Sequence, residues 1–182
     1  MELILGSGSP RRRALLEELG VAFTVVKPVV RERRVKDDAV ATVSLAALAK
    51  HRWCRKHYLN ARIITADTAV EFEGKVLGKP RSLKQATEWL MEFSGREQRV
   101  YTAVALSEPE ETVPRLRLAR STVTFKSITP EVARTYVATV RPIDRAGGCD
   151  IDVDGDTLIA GYTGSYTNIV GLPVELILDF VE

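Results

Sequence analysis

Four short stretches of the 182-residue chain carry side chains that could do chemistry, two of them suited to binding phosphate. The first is GSGSPRRR, Gly6 to Arg13, in which small residues lead into three arginines. A helix N-terminus leaves backbone N–H groups unpaired and carries about half a positive charge, so a Gly/Ser turn entering a helix can hold an anion. Ser7 and Ser9 add hydroxyl donors. Arg11, Arg12 and Arg13 cannot all face one ligand from consecutive helical positions, so one or two bind and the rest meet solvent or a carboxylate. The stretch lacks the lysine of a Walker loop and the third glycine of a dinucleotide fingerprint. Its plainer reading is a capped helix with a basic, solvated face.

The second stretch is ITADTAV, an apolar strand broken by Asp67 and Thr68. A carboxylate in a buried strand is costly unless paired, metal-bound or catalytic, and a strand-end turn or cap is the bland alternative. The third is LGKP, where Lys79 is set between glycine and proline, either as a point charge for phosphate or as an ordinary loop lysine. The fourth, DIDVDGD, alternates Asp150, Asp152, Asp154 and Asp156, which a strand would place on one face. Calcium is not expected, because Ile159, Ala160 and Gly161 stand where an EF-hand loop needs its closing glutamate. A polar loop beside a metal–phosphate site and a solvated hairpin both fit.

A scaffold must bring these stretches together, and the hydrophobic pattern supplies one. Leu3 to Leu5 reads as a short buried strand, after which Pro10 opens a helix that ends at Gly20. Ala22 to Val26 is a second strand, followed by the charged and irregular VVRERRVKDD. Ala39 to Lys56 has helical spacing, with Leu45, Leu48 and Ala49 on one side. Arg62 to Phe72 is a β-branched run that turns at Glu73-Gly74 and returns as Lys75 to Leu77. Ser82 caps a helix running to Phe93, with Gly95 just beyond its end. Val100 to Leu106 and Leu118 to Phe125 form a hairpin, and Thr129-Pro130 starts a helix to Val140. The remainder is a Gly/Asp-rich loop followed by a closing helix, GLPVELILDFV. With no internal repeat or linker, residues 1–182 make one α/β domain.

Taken together, the stretches resemble the Maf family of nucleoside triphosphate pyrophosphatases. The resemblance is carried by LILGSGSPRRRALLEELG, ITADTAVEFEGKVLGKP, FSGREQRVYTAVAL and RAGGCDIDVDGDTLIAGYTGSYTNIVGLP, in the family's order and spacing nearly end to end. It implies an elongated mixed β-sheet flanked by helices, with two lobes and a central cleft, similar to the inosine-triphosphate pyrophosphatases. It implies cleavage of a nucleoside triphosphate to the monophosphate and pyrophosphate with a divalent cation, Mg2+ or Mn2+. By the same resemblance Asp67 is the proton acceptor, and Arg12, Lys50 and Lys79 are catalytic cations. Glu32 and Asp67 hold the metal, and Ser7, Ser9, Arg11, Thr68 and Asp152 meet the substrate.

Arg11 and Thr68 resemble the subgroup acting on dTTP and UTP, whereas Asp152 stands where that subgroup has glutamine. An ionised carboxylate cannot donate a hydrogen bond, so Asp152 would turn the site toward CTP or a modified base. Cys149 stands in place of the family's usual tyrosine, and Arg31 in place of a common second acid. The alternative reading is a nucleotide-binding regulator of cell division with little turnover. Proteins of this family commonly dimerise, and nothing in the sequence marks an interface.

Composition narrows the partners. The chain is 45% hydrophobic and 27% charged, as in ordinary globular proteins. A net charge of +2, with no aromatic platform beside the basic stretches, argues against a nucleic-acid or membrane partner. Cys54 and Cys149 match neither a disulfide framework nor a zinc spacing. The N-terminal residues do not read as a secretory signal, and no apolar run approaches the roughly 20 residues that span a bilayer. A cytoplasmic location is the expectation.

Overall fold

The computed structural model describes residues 1–153 and 155–181. β1, Leu3–Gly6, is buried at every position, as expected of a strand covered on both faces. It pairs in parallel with β2, Thr24–Val26, and with β3, Arg62–Phe72. Parallel pairing needs crossovers, which α1 (Pro10–Glu17) and α2 (Ala39–His57) supply. β3 turns through Glu73-Gly74 into β4, Lys75–Leu77. After α3 (Leu83–Phe93), the long hairpin of β5 (Glu97–Ser107) and β6 (Arg115–Phe125) extends the sheet in antiparallel fashion. α4, Pro130–Val140, follows, and β7, Ile159–Thr163, adds to β6. The order is β2-β1-β3-β5-β6-β7, with β4 on β3.

The expected mixed sheet flanked by helices is therefore present. One face packs two core clusters. Leu3, Leu5, Ile64 and Leu106 meet α1 and the C-terminal turns, and further along Phe72, Phe93 and Phe125 lie with α3 and α4. The opposite face carries α2, through Val43, Ala47, Ala69 and Ala103. Helix starts are chemically marked: Ser9, Asp38, Ser82 and Thr129 each accept a backbone N–H from three residues on. Each such cap contributes about 1 kcal/mol.

Several elements depart from the sequence reading. The buried stripe of α2 is Thr42, Val43, Ala46, Ala47, Lys50, His51 and Cys54, whereas Leu45 is 43% exposed. Small side chains are needed there because the helix lies close on the sheet, so Leu45 turns outward while Leu48 packs partly buried against the margin of the cluster. β5 and β6 extend beyond the expected limits, and β7 lies in what reads as loop. The closing helix is broken into a 3-10 turn, Val174–Leu176, and a short helix, Leu178–Val181. Asp150 to Val153 is not a strand but an irregular turn, and Gly155–Leu158 is a short helix, α5, so Asp150, which is buried, and Asp152 and Asp156, which are exposed, line no common strand face. Asp154 lies outside the described residues.

Candidate active site

β1 pairs with β3 only as far as Thr65, and β4 takes up the same side only from Val70. Residues 66–69 of β3 therefore keep β5 on one side and an open edge on the other. A cleft of about 620 Å³ lies at this gap. β1 ends there too, which brings Ser7, Ser9 and the N-terminus of α1 to the cleft wall. A crevice at the carboxyl ends of neighbouring parallel strands is where open α/β sheets bind ligands.

Successive residues of β3 point to opposite faces. Asp67 faces α2, where Lys50 Nζ lies 2.7 Å from its Oδ1. The same ammonium is 2.9 Å from Glu32 and donates to the carbonyl of Ala66 at 3.3 Å, a group the open strand edge leaves without a ladder partner. Lys50 is 8% exposed and is thus a buried cation matched by two carboxylates. Partial burial alone would raise the Glu32 carboxyl, but its bond to Lys50 and the charges of Lys50, Arg12 and Arg34 hold it below the usual carboxylate range. Gly6 makes this approach of α2 feasible, since a Cβ there would lie 2.5 Å from Cys54 Sγ.

Thr68 faces the other way, toward α1 and α6, Tyr166–Val170. Arg12 reaches this point from α1 with all three guanidinium nitrogens bonded and one N–H of Nη2 left over. Nε donates to Gly171 O at 2.7 Å, Nη1 to Ala66 O at 3.0 Å and to Ser7 Oγ at 3.3 Å, and Nη2 to Thr68 Oγ1 at 3.0 Å. Burial pulls this guanidinium below its ordinary value, and nearby Asp67 opposes the shift. Gly171 ends α6 with φ 128°, in the region that favours glycine, and so presents its carbonyl to Arg12.

The three arginines of GSGSPRRR have three fates. Arg12 is buried, Arg13 pairs with Glu17 one turn on at the surface, and Arg11 lies 3.6 Å from Asp150. Ser7 Oγ accepts from both Ser9 N–H and Arg12, and Ser9 Oγ caps α1. Lys79 lines the cleft as an exposed side chain. Asp152 is not brought to the wall: it is exposed, and its carboxylate accepts the Tyr166 hydroxyl. The physical reason is the turn at Asp150–Val153, which directs Asp150 inward, 2% exposed, onto Arg145 and Arg11.

Arg145, Arg34, Lys27 and Gln98 also line the cleft and were not singled out as site residues from the sequence. Arg145 sits within RAGGCD, and only its pairing with Asp144 and Asp150 distinguishes it from a loop arginine. Arg34 lies over Gly78, where any side chain would collide with it. Among the described residues no three His, Cys, Asp or Glu side chains converge as a closed metal site. Glu32 and Asp67 nevertheless share one cation, Lys50, and two such hard oxygen donors suit Mg2+ or Mn2+ when phosphate oxygens complete the shell.

Known proteins extend this picture. A dTTP/UTP pyrophosphatase of Moorella thermoacetica is 41% identical over 174 residues, covering 95% of this chain and 90% of that one. One from Dictyoglomus thermophilum is 39% identical over 175 residues, covering 95% and 91%. The solved Ham1 protein of Staphylococcus aureus aligns with a TM-score of 0.47 at 16% identity, over 69% of this chain and 71% of that one. The family model for Maf-like proteins matches residues 2–182, and thus every wall of the cleft; the chain belongs to the Maf-like family.

Proposed function

We propose that this chain is a nucleoside triphosphate pyrophosphatase acting on dTTP and UTP, releasing the monophosphate and pyrophosphate. The observation that carries the reading is the Lys50 ammonium, 2.7 Å from Asp67 and 2.9 Å from Glu32, at the open edge of β3. The relatives' names, dTTP/UTP pyrophosphatase, favour turnover over the regulator reading.

Cleavage between the α- and β-phosphates needs an activated water, offset of charge on the phosphoryl oxygens and a stabilised leaving group. Lys50 engages Oδ1 of Asp67, so Oδ2 is the atom that takes the proton of the attacking water. Ser7, Ser9 and the first N–H groups of α1 receive phosphate oxygens, and Arg12, Lys50 and Lys79 offset their charge. Arg12 enters already aligned by Thr68, Ala66 and Gly171, so little reorganisation accompanies the reaction. Glu32 and Asp67 would hold the divalent cation, which when bound supplies further neutralisation of phosphoryl charge.

Arg11 and Thr68 border the cleft beside the phosphate seat. Asp152, the position that favours CTP or a modified base, is held at the surface by the Tyr166 hydroxyl, which supports dTTP and UTP as the substrates. We place the activity in the cytoplasm, with a nucleotide as partner rather than nucleic acid or a membrane. Among the described residues no helix is long and apolar enough to cross a bilayer.

The test is pyrophosphate release from dTTP, UTP, CTP, the purine triphosphates and 7-methyl-GTP with Mg2+ or Mn2+. Release from dTTP and UTP, abolished by a chelator and by Asp67→Asn, is expected. Tight nucleotide binding without turnover would return the weight to the regulator.

A further inference from the structure

The cleft has a second end that the phosphate chemistry leaves unused. Beyond Thr68, on the face of the sheet that carries α3 and α4, its wall is aliphatic and aromatic: Val70, Val100, Val123, Phe125 and Ile169. Gln98 interrupts this wall. It is 4% exposed, lies on β5 opposite Val123, and its Nε2 has no hydrogen-bond partner among the described residues.

Strand alternation sets Gln98 on the same face as Val100 and Thr102. Thr102 is paired with Thr68, the residue that holds Arg12. The carboxamide therefore stands four strand positions from the phosphate-handling end, about 13 Å along the same wall at the usual rise per residue. That is the reach of a nucleoside extended from its phosphate. A buried amide donor left unpaired carries its desolvation penalty in full, and a leucine would serve a purely structural wall better.

We propose that Gln98 determines base specificity, its Nε2 donating to the carbonyl oxygen on the far edge of a pyrimidine, O4 of uracil or thymine. The identity of the ligand rests on the pyrophosphatase reading above. The valine and phenylalanine wall packs on the ring and on the thymine methyl. Cytosine places an amino group where O4 stands, so donor meets donor and both remain unpaired. A site built to hydrogen-bond one group discriminates strongly against an analogue that lacks the matching atom. Thr68 is less suited to this reading role, because its hydroxyl is already engaged by Arg12 and Thr102.

The experiment compares UTP with its 4-deoxy analogue, the triphosphate of the pyrimidin-2-one ribonucleoside, in the parent, Gln98→Leu and Gln98→Glu. The parent is expected to favour UTP by about tenfold or more in kcat/KM, the size of one lost hydrogen bond to a buried group. Both variants should lose that preference, with UTP falling to the analogue's level while affinity for inorganic pyrophosphate is unchanged. Gln98→Leu should melt no lower than the parent, since it removes an unpaired buried donor. A parent indifferent to O4, or a preference that persists in Gln98→Leu, would overturn the proposal. If the parent cleaves no nucleotide, the pyrophosphatase reading fails by itself. Dissociation constants for α,β-methylene UTP and its 4-deoxy counterpart then decide the role of Gln98 by the same criterion.

Discussion

Lys50 and His51 are neighbours on one helix, both turned toward the sheet and both buried, yet they serve opposite ends. Lys50 faces the gap in β3 at residues 66–69, where its charge is matched by Asp67 and Glu32 and is within reach of a ligand. His51 lies toward the closed end of the sheet. Its Nε2 is 2.7 Å from Ser107 Oγ, on a residue paired with Ile63 of β3, and its Nδ1 has no partner among the described residues. Burial, reinforced by the charges of Arg55 and Arg52, pushes the imidazole down to about 4. Under the closed strands the imidazole is held neutral by burial beside arginine charges, whereas at the open strand edge the buried ammonium lies between two carboxylates.

The sharpest way to break this contrast is at the open edge. Asp67→Asn keeps the shape of the side chain but removes the base, and pyrophosphate release should fall about 10²–10⁴-fold. Circular dichroism and the melting temperature should change little by comparison. An activity near the parent's would remove Asp67 from the chemistry.

At the closed end the expected effect is on stability rather than turnover. The unfolded chain takes up a proton on His51 near its ordinary value of 6.5, whereas the folded chain refuses it until about 4. The contribution is thus fully present above pH 6.5 and is lost as pH falls toward 4, by about 3 kcal/mol in all. Urea unfolding of the parent and His51→Asn between pH 4 and 7.5 checks this: the parent's slope in that window should flatten in the variant.

Arg12→Lys falls between these ends. A single ammonium cannot reproduce the planar fork that serves Gly171, Ala66 and Thr68, so buried carbonyls lose donors and stability should drop by about 1–3 kcal/mol. Turnover should fall with it, and a lysine variant indistinguishable from the parent would show that charge alone suffices. The smallest effect is expected next door. Among the described residues Arg13 pairs only with Glu17, on the surface, so Arg13→Ala should cost about 0.2–0.5 kcal/mol in a denaturation curve and leave kcat/KM unchanged.

Much of the molecule is written locally. The caps Ser9, Asp38, Ser82 and Thr129, the Glu73-Gly74 turn and the run Arg62–Phe72 depend on near neighbours, so helices and hairpin start where residue types require. Asp67 is legible for a similar reason: a carboxylate in the apolar run ITADTAV needs an explanation wherever that strand lies. α2 is misread at Leu45 because its inner stripe is set by how closely the helix lies on the sheet, which no spacing within the helix records. β7 is missed because it is ordered by pairing with β6 rather than by its own hydrophobic pattern.

The sequence by itself determined the order of elements, the phosphate-suited turn after β1 and the presence of a carboxylate with nearby cations. Only the tertiary structure decided which arginine of GSGSPRRR turns inward and that Lys50 bridges Glu32 and Asp67. It likewise decided that Asp150 rather than Asp152 is drawn into the protein, and that Gln98 Nε2, without a partner among the described residues, stands in an apolar wall. These outcomes depend on partners that are distant along the chain, and in three dimensions they are selected by the break between β1 and β4 on the edge of β3. An open strand edge exposes backbone carbonyls and side chains that must be satisfied, and the cations that satisfy them become the site.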